Sequence, residues 1–328
     1  MSSNKALVFK KVPRGIPIPG IDLTIEPVAG TVSDTAPENG IFVKSLYSSF
    51  DPYMRGRMRP ATVKSYSLPF ILNKPLDSFG IGKVLKSKNA SYREGQLIIG
   101  QLPIPGNPLG IEDIRVFLSD LGMPGLTAYS SLYEIGKPKK GDTIFISAAS
   151  GAVGQIVAQL AKREGLIVIG SVGSDEKLSY IMNELGFDGG FNYKEEKPKE
   201  ALSRLAPQGL NIYYDNVGGE HLEASLDAMN DFGRIVACGM ISDFSGAPYP
   251  IKNLHNIITK RLYMRGFIVA DPELGQKYFL EHQNNMQNWI KEGSIRSLIH
   301  ETVAIENAAE GLVGIFEGKN KGKALLKF

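Results

Sequence analysis

The hydrophobic and polar positions of the chain form two different patterns, which meet near residue 120. In the first part, short apolar runs are separated by Gly, Pro and Asn turns, and no sustained helical period is present. These runs cover residues 41–46, 80–85, 96–99 and 114–117. The pattern predicts a compact, β-rich domain over residues 1–121.

From residue 122 onward, strand-like and helix-like segments alternate. Strands are predicted at 143–147, 166–171, 190–193, 210–215, 234–239 and 264–270, with helices at 153–164, 175–185, 195–205 and 222–229. Several of these strands are apolar throughout, which is typical of a parallel sheet that is buried on both faces. Six such strands with crossover helices predict an α/β fold, a doubly wound Rossmann domain over residues 122–293.

The last part of the chain is predicted to return to the first domain. An amphipathic helix at 272–292 precedes a shorter helix at 306–316 and a terminal strand at 323–328. We expect residues 294–328 to complete the β-rich domain formed by residues 1–121.

Charge and hydropathy exclude some classes of partner. The 37 Lys and Arg residues and 34 Asp and Glu residues give a net charge of +3, and the basic residues are scattered. Nucleic acid is therefore not favoured as a partner. The start of the chain has no apolar signal core, and no apolar run approaches the roughly 20 residues of a membrane span. We expect a cytoplasmic protein without a membrane partner.

Cysteine and histidine are too sparse for a zinc site in the first domain. The single cysteine is Cys238, and all four histidines follow residue 200. The usual nitrogen and sulfur ligands of zinc are thus missing from the first 200 residues, and no metal is expected. Cys238, in the segment RIVACG, is interpreted as a buried strand residue and not as a nucleophile.

The segment TIFISAASGAVG, residues 143–154, carries the strongest functional signal. It predicts a strand, a turn of small residues and the start of a helix, the arrangement that binds a dinucleotide pyrophosphate at a helix N-terminus. The turn is an A-x-G-x-x-G variant of the usual glycine fingerprint. Its candidate cofactor residues are Ala149, Gly151, Ala152, Val153 and Gly154. The alternative is a helix packed closely on a strand without a ligand.

The end of the second predicted strand favours NADP over NAD. An NAD-binding domain usually has a carboxylate there for the ribose 2′-hydroxyl, but residues 167–177 read IVIGSVGSDEK. Ser171, Ser174 and Lys177 supply hydroxyls and one cation, which suit a 2′-phosphate. Asp175 comes late and is expected at the helix N-terminus, which Ser174 could cap. A solvated helix lysine is the alternative reading of Lys177.

Seven motifs occur together in an order typical of one family. They are DPYMRGRM (51–58), GMPGLTAY (122–129), AASGAVGQ (148–155), GSDEK (173–177), FNYK (191–194), DNVGGE (215–220) and GKNKGK (318–323). In this combination the chain resembles the zinc-independent medium-chain reductases known as prostaglandin reductase, leukotriene 12-hydroxydehydrogenase or alkenal double-bond reductase. The resemblance covers essentially the whole chain.

The resemblance implies a GroES-like β domain beside a Rossmann domain, a homodimer, and NADPH-dependent reduction of the carbon–carbon double bond of α,β-unsaturated aldehydes and ketones. It implies that Lys177 holds the 2′-phosphate. The other cofactor positions that it implies are Tyr193, Asn216, the backbone of Phe267, Ile268 and Val269, and Asn320. Cys238 and Gly239 complete the set of candidate cofactor residues.

One position departs from the family pattern. Many members have a tyrosine eight residues before the position of Phe267, where this chain has Thr259. That tyrosine is associated with the nicotinamide ribose or with protonation. Thr259 offers a shorter hydroxyl, and Tyr263 lies four residues further on. The proton donor is therefore left open.

Reduction of a conjugated double bond places negative charge on the carbonyl oxygen, so catalysis needs positioning and a hydrogen-bond donor to that oxygen. Tyr53 is the preferred side-chain donor, with the cofactor ribose 2′-hydroxyl as an equal alternative, and water could supply the α-proton. Arg55 and Arg57 could attract a substrate carboxylate, although a structural or solvated arginine is the favoured interpretation. Tyr47, Met123 and Tyr249 are candidate apolar walls, for which ordinary packing is the alternative.

Two other functions are compatible with the sequence. The first is a zinc-free NADPH quinone reductase of the same superfamily, against which the DPYMR and GKNKGK motifs argue. The second is a non-catalytic NADPH-binding protein with a structural or nucleic-acid-binding role, since a fold alone does not fix an activity.

Overall fold

The computed structural model describes residues 4–28, 35–100, 102–103, 111–244, 246 and 248–328. The chain divides into two compact units. Unit 1 comprises Met1–Leu118 and Ile299–Phe328, and unit 2 comprises Ser119–Leu298. The boundaries expected from the sequence lie three residues away on one side (121 against 118) and five on the other (294 against 299).

The strands are named in chain order. They are β1 (Lys5–Phe9), β2 (Leu23–Pro27), β3 (Ile41–Ser49), β4 (Lys74–Pro75), β5 (Gly80–Ser87), β6 (Leu97–Ile99), β7 (Leu102–Pro103), β8 (Thr143–Ile146), β9 (Ile167–Val172), β10 (Gly189–Asn192), β11 (Leu210–Asp215), β12 (Met229–Ala237), β13 (Tyr263–Gly266), β14 (Ile299–Val303) and β15 (Lys323–Lys327).

The α-helices are α1 (Tyr53–Arg57), α2 (Met123–Ser131), α3 (Gly154–Arg163), α4 (Asp175–Asn183), α5 (Pro198–Leu205), α6 (Gly219–Ala228), α7 (Asn256–Thr259), α8 (Lys277–Lys291) and α9 (Ala308–Gly314). Short 3₁₀ segments cover Ile114–Leu118, Ile241–Phe244 and Ile305–Asn307, and π-helical turns cover Leu132–Gly136 and Pro272–Gln276.

Unit 2 is built on a six-stranded sheet with the order β10-β9-β8-β11-β12-β13, in which every neighbouring pair is parallel. Counted within the sheet, this order is 3-2-1-4-5-6, the doubly wound arrangement. The central strands are buried on both faces, as the complete burial of Ile144, Phe145 and Ile146 illustrates. The predicted Rossmann domain is therefore confirmed.

Several predicted boundaries are corrected by backbone conformation. The helix predicted at 222–229 begins earlier, because Gly218 and Gly219 have φ values of 71° and 53° and let the chain turn directly into α6. The strand predicted at 234–239 then begins at Met229 and ends at Ala237, which leaves Cys238 outside it. The apolar run 114–117 forms a 3₁₀ turn and not a strand.

The described residues of unit 1 form two sheets. The larger has the order β14-β15-β3-β5-β6-β7, and the smaller has the order β2-β1-β4. Strand β15 lies between β14, to which it is parallel, and β3, to which it is antiparallel. The terminal strand thus joins the sheet formed by the first hundred residues. A core containing Phe9, Met54, Phe70 and Leu312 packs β1, α1 and α9 together.

Among the residues that the structure describes, no helix combines the length and the apolar character needed to cross a lipid bilayer.

Candidate functional site

The turn between β8 and α3 is shaped for a close approach of backbone to a ligand. Ala148 adopts the left-handed conformation, with φ 49°. The next residue donates its N–H to Ser171 O on the neighbouring strand at 2.9 Å. A Cβ on Gly154 would lie 2.5 Å from Ala148 O, whereas one on Gly151 would lie 3.1 Å from that atom. Glycine is therefore required at Gly154 and favoured at Gly151.

The start of α3 fits an anion. The helix begins at Gly154, after Val153, and has no acidic residue in its first turn. The first N–H groups of a helix have no carbonyl partner within it, and the helix dipole adds partial positive charge there. The turn and the helix start together fit the pyrophosphate of a dinucleotide.

The end of β9 carries hydroxyl and ammonium groups. Ser174 caps α4, as predicted, by accepting a hydrogen bond from Lys177 N at 3.3 Å. Ser171 Oγ is buried and has no hydrogen-bond partner in the described structure. Burial lowers the pKa of Lys177, and the nearby Lys194 lowers it further. The sequence pattern indicates only one cation here, Lys177, and gives no sign of Lys194, which lies at the end of the FNYK motif.

Asp175 does not place its carboxylate where NAD-binding domains keep theirs. It lies in the first turn of α4, where the helix dipole favours a negative charge. Its Oδ1 accepts a hydrogen bond from the Asn192 amide at 2.9 Å, and Asn192 Oδ1 accepts one from Lys194 N at 3.2 Å. These bonds hold the carboxylate against β10 and fix the backbone beside Lys194. The cluster of Ser174, Lys177 and Lys194 is suited to a 2′-phosphate.

Tyr193 follows β10 and packs beside the same cluster. A Cβ on Gly173 would lie 2.8 Å from its hydroxyl oxygen, so glycine makes room for the phenol. The tyrosine ring meets the His221 ring edge-on at a centroid distance of 5.3 Å. Tyr193 is 40% exposed and therefore offers a partly open aromatic face.

Asp215, at the end of β11, organises the turn that follows. Its Oδ1 accepts hydrogen bonds from Tyr213 OH at 2.7 Å, Val217 N at 3.0 Å and Gly218 N at 2.7 Å. Its Oδ2 is buried without a partner in the described structure. The pKa of the Asp215 carboxyl is raised above its ordinary value, because the effect of burial is larger than the lowering caused by these hydrogen bonds. In the sequence, Asp215 is visible only as the first residue of the DNVGGE motif, and its role could not be predicted.

The loops after three neighbouring strands are bonded to one another. Asn216 donates its amide N–H to Ser147 O at 2.8 Å, and its backbone N–H to Ser147 Oγ at 2.9 Å. Cys238 and Gly239 donate their N–H groups to Asp215 O at 2.9 and 3.0 Å. The candidate cofactor residues Asn216, Cys238 and Gly239 thus meet at the carboxyl edge of the sheet, where ligands bind in this fold.

Cys238 requires a correction. It was predicted within a buried strand, but it lies just after β12 and is only partly buried as a residue. Its thiol is enclosed, and burial raises the pKa of that thiol to about 12. The group is therefore a neutral thiol at physiological pH, which agrees with the expectation that it is not a nucleophile.

Phe267, Ile268 and Val269 follow β13, the edge strand of the same sheet. Part of this backbone is already paired. Ile268 N donates to Asp271 Oδ2 at 3.0 Å, Ile268 O accepts from Asp271 N, and Val269 O accepts from Gly275 N at 2.8 Å. These bonds hold the loop in one conformation at the strand end.

In unit 1, Tyr53 begins α1 and packs against the core. Burial raises the pKa of Tyr53, and the charge of Asp51 raises it further. The side chain is therefore a neutral phenol that can donate a hydrogen bond.

The two arginines on α1 are already bonded within unit 1. Arg55 donates to the carbonyl oxygens of Gly15 at 2.7 Å and Pro13 at 3.0 Å. Arg57 binds both carboxylate oxygens of Asp77, at 2.7 and 2.9 Å. This geometry favours the structural interpretation of both residues over the capture of a substrate carboxylate.

A buried ion pair joins two of the sequence motifs. Lys323 Nζ lies 2.6 Å from Asp51 Oδ1 and 2.7 Å from Phe50 O, and both charged side chains are at least 96% buried. Asp51 opens the DPYMRGRM motif and Lys323 closes GKNKGK. The pair therefore fixes the terminal strand β15 against the segment that leads into Tyr53. No pattern in the sequence indicates that Asp51 and Lys323 meet.

The remaining candidates belong to different elements of the two units. In unit 1, Tyr47 is a half-buried residue of β3, and Asn320 donates its amide to Gly322 O at 2.7 Å. In unit 2, Met123 begins α2, and the exposed Thr259 ends α7. Tyr249 donates its hydroxyl to Glu223, and this bond raises the pKa of Tyr249 to about 12.

Fold and site together define a dinucleotide-dependent oxidoreductase. Residues 152–283 match the family described as zinc-binding dehydrogenase, and residues 5–106 match the family described as N-terminal domain of oxidoreductase. The chain belongs to the medium-chain dehydrogenase/reductase family, in its zinc-independent branch of alkenal reductase type. The absence of Cys and His from the first 200 residues agrees with that branch.

Three similar proteins span nearly the whole chain. NADP-dependent oxidoreductase RED1 from Cochliobolus heterostrophus is 47% identical and covers 100% of this chain and 98% of its own. The NADP(+)-dependent 2-alkenal reductase of Nicotiana tabacum is 41% identical, covering 99% and 97%. CurA from Vibrio vulnificus, solved with NADPH, has a TM-score of 0.88 at 30% identity, covering 99% of each chain. These names agree with the predicted NADP(H) cofactor.

Proposed function

We propose that this protein is an NADPH-dependent reductase of the carbon–carbon double bond in α,β-unsaturated aldehydes and ketones. The coarser statement, an NADP-dependent oxidoreductase, follows from the family. The observation that carries the finer one is the full-length likeness to a 2-alkenal reductase, and the partly buried Tyr53 phenol supports it as a candidate hydrogen-bond donor.

NADP(H) is the cofactor, and the site fits it in three respects. The Gly154 cradle and the α3 N-terminus suit the pyrophosphate, because a Cβ there would collide with Ala148 O. Lys177 and Lys194 lie close together and suit the dianionic 2′-phosphate. The buried Ser171 hydroxyl without a partner adds a hydrogen-bonding group at the same strand end.

When bound, the reduced nicotinamide supplies the hydride that reaches the β-carbon of the substrate. Negative charge then develops on the carbonyl oxygen of the substrate. We infer that Tyr53 donates a hydrogen bond to that oxygen, because its raised pKa keeps the phenol protonated. In this arrangement the Tyr53 hydroxyl is bonded to the carbonyl oxygen, so we assign the α-carbon proton to water.

A substrate panel tests this function. NADPH oxidation is followed at saturating cofactor with a trans-2-alkenal, an enone and a quinone, and each reaction is repeated with NADH. We expect turnover of the alkenal and enone with NADPH, formation of the saturated carbonyl product, and much weaker reaction with NADH. Faster turnover of the quinone would establish the alternative reductase function.

A protein that binds NADPH but reduces none of these acceptors would support the non-catalytic alternative. Quenching of NADPH fluorescence, measured without an acceptor, separates that result from a protein that has lost its cofactor site.

A further inference from the structure

The segment that follows α1 exposes an unusual amount of apolar surface. Leu68 is 82% exposed, Ile71 68% and Tyr66 64%, and Val63 and Leu72 are about half exposed. Residues 60–73 contain one charged side chain, Lys64. Clustered exposed apolar side chains mark binding surfaces more often than singly scattered ones do. We call Tyr66, Leu68 and Ile71 the apolar rim.

The backbone that carries the apolar rim is held in place. Arg59 donates to the carbonyl oxygens of Gly56 at 3.1 Å and Val63 at 2.8 Å, and also to Ser67 O. A second arginine, Arg57, donates to Leu68 O at 3.0 Å. The exposed side chains are therefore presented from a segment that two arginines bond to α1.

The segment that carries the apolar rim packs beside Tyr53. Phe70, within the same segment, donates its N–H to Arg57 O at 2.8 Å and is part of the core against which Tyr53 packs. Tyr66 adds a little to the raised pKa of Tyr53, which places the two phenols near each other. A molecule held by the Tyr53 hydroxyl would thus have this uncharged segment on one side, with the paired charges of Arg57 and Asp77 also near the phenol.

We propose that the apolar rim binds the hydrocarbon chain of the substrate and makes the enzyme selective for alkenals and enones with longer alkyl chains. This inference rests on the proposed function and on Tyr53 as the carbonyl donor. The surface suits an alkyl chain because it is apolar and almost uncharged. Each methylene group removed from water is expected to improve kcat/KM about threefold to fourfold until the surface is covered.

A chain-length series tests the proposal. The kcat/KM of the wild type is measured with trans-2-pentenal, trans-2-hexenal, trans-2-octenal and trans-2-decenal, and then with Leu68→Ser and Tyr66→Ser. We expect kcat/KM to rise about tenfold or more from the shortest to the longest substrate in the wild type. Each variant should flatten this rise, so that its kcat/KM falls below that of the wild type most with trans-2-decenal and least with trans-2-pentenal.

Leu280→Ser is the matched control, because Leu280 is 75% exposed on α8 in unit 2. It should leave the chain-length profile unchanged. A wild-type profile without a rise, or variants that retain the full rise, would overturn the proposal. If Leu68→Ser alters the sedimentation coefficient but not the profile, the apolar rim is a self-association surface and the proposal is wrong.

A binding series separates this inference from the proposed function. Saturated 2-alkanones of five to ten carbons are titrated into the NADPH complex by calorimetry, which needs no turnover. Affinity that rises with chain length in the wild type but not in Leu68→Ser supports the apolar rim even if no alkenal is reduced. Affinity independent of chain length overturns the apolar rim even if alkenals are reduced.

Discussion

The carboxyl edge of the sheet in unit 2 and the α1 region of unit 1 are assembled in different ways. The first is built mainly from backbone groups of loops that follow neighbouring parallel strands, such as the turn at Gly154 and the turn held by Asp215. The second depends on contacts between residues far apart in sequence. Lys323 and Asp51, for example, are 272 positions apart.

This difference determines which substitutions each region tolerates. A loop that binds a ligand through its N–H groups is sensitive to backbone shape, so an added Cβ atom has a large effect on binding there. The loss of a charged side chain beside the ligand has a large effect as well. The α1 region is instead fixed by a few buried polar side chains, each of which leaves an unpaired partner when it is removed. The comparison therefore predicts large stability effects in unit 1 and large cofactor effects in unit 2.

The largest expected effect is on the stability of unit 1. Lys323→Met leaves the Asp51 carboxylate buried without its ammonium partner, and we expect a loss of about 3–5 kcal/mol in the free energy of unfolding. Urea denaturation followed by circular dichroism measures this loss.

Lys327→Met is the control for that variant, since Lys327 lies on the same strand in a 3.6 Å ion pair with Glu301 and is 46% exposed. It should cost no more than about 0.5–1 kcal/mol. Equal losses for the two variants would show that the buried pair has no special part in holding β15.

The next effect concerns the choice of cofactor in unit 2. Lys177→Ala combined with Lys194→Ala removes both ammonium groups beside Ser174, and we expect NADPH affinity to fall about 100-fold. NADH affinity should change by less than about twofold, because NADH has no 2′-phosphate. Fluorescence titration with each cofactor provides the measurement, and an equal loss for both cofactors would contradict the assignment.

A third effect is pH-dependent and also belongs to unit 2. Burial lowers the pKa of His221 and of His282 to about 4 in each case. Both are neutral when folded, but in the unfolded chain they take up protons below a pKa of about 6.5. Their contribution to stability is therefore complete above that pH and declines as the pH falls toward 4. The loss is about 2 kcal/mol per histidine between pH 7 and pH 4.5.

His221→Phe tests this effect, because the ring stacks on Phe145 at 6.3 Å and its Nε2 has no partner in the described structure. The variant should reduce the dependence of unfolding free energy on pH by about 2 kcal/mol over that range. The exposed His255 is the comparison, and His255→Gln should leave the dependence unchanged. A wild-type and a His221→Phe curve with the same slope would refute the assignment.

The smallest of the four effects is catalytic and lies in unit 1. Tyr53→Phe removes one hydrogen-bond donor while keeping the packed ring, and we expect kcat for an alkenal to fall about tenfold. NADPH affinity and unfolding free energy should stay within error of the wild type. Steady-state kinetics at saturating NADPH measure the change, and an unchanged kcat would remove Tyr53 from the mechanism.

Sequence reading identified the parts of unit 2 that depend on local pattern. The strand order, the Gly154 turn and the Ser174 cap all follow from apolar runs, small residues and a capping serine within a few positions of one another. Lys194 could not be predicted as a second cation, because no pattern within one segment indicates that the end of β10 comes close to the start of α4.

The boundary errors have a related cause. Gly218 and Gly219 take positive φ values, which glycine allows, and a Cβ at Gly218 would also meet the Met240 side chain at 2.9 Å, a contact formed only in the folded chain. The position of Cys238 beyond β12 depends in the same way on its N–H bond to Asp215 O.

The sequence by itself determined the alternating strands and helices, the dinucleotide turn and the family, because each is written in residues that lie close together or recur in a fixed order. Only the tertiary structure decided that Asp51 meets Lys323, that Lys194 comes close to Lys177 and that the segment after α1 exposes an apolar rim. Each of these features depends on which distant segments pack together, and burial or exposure is a property of the whole packed chain and not of any one segment.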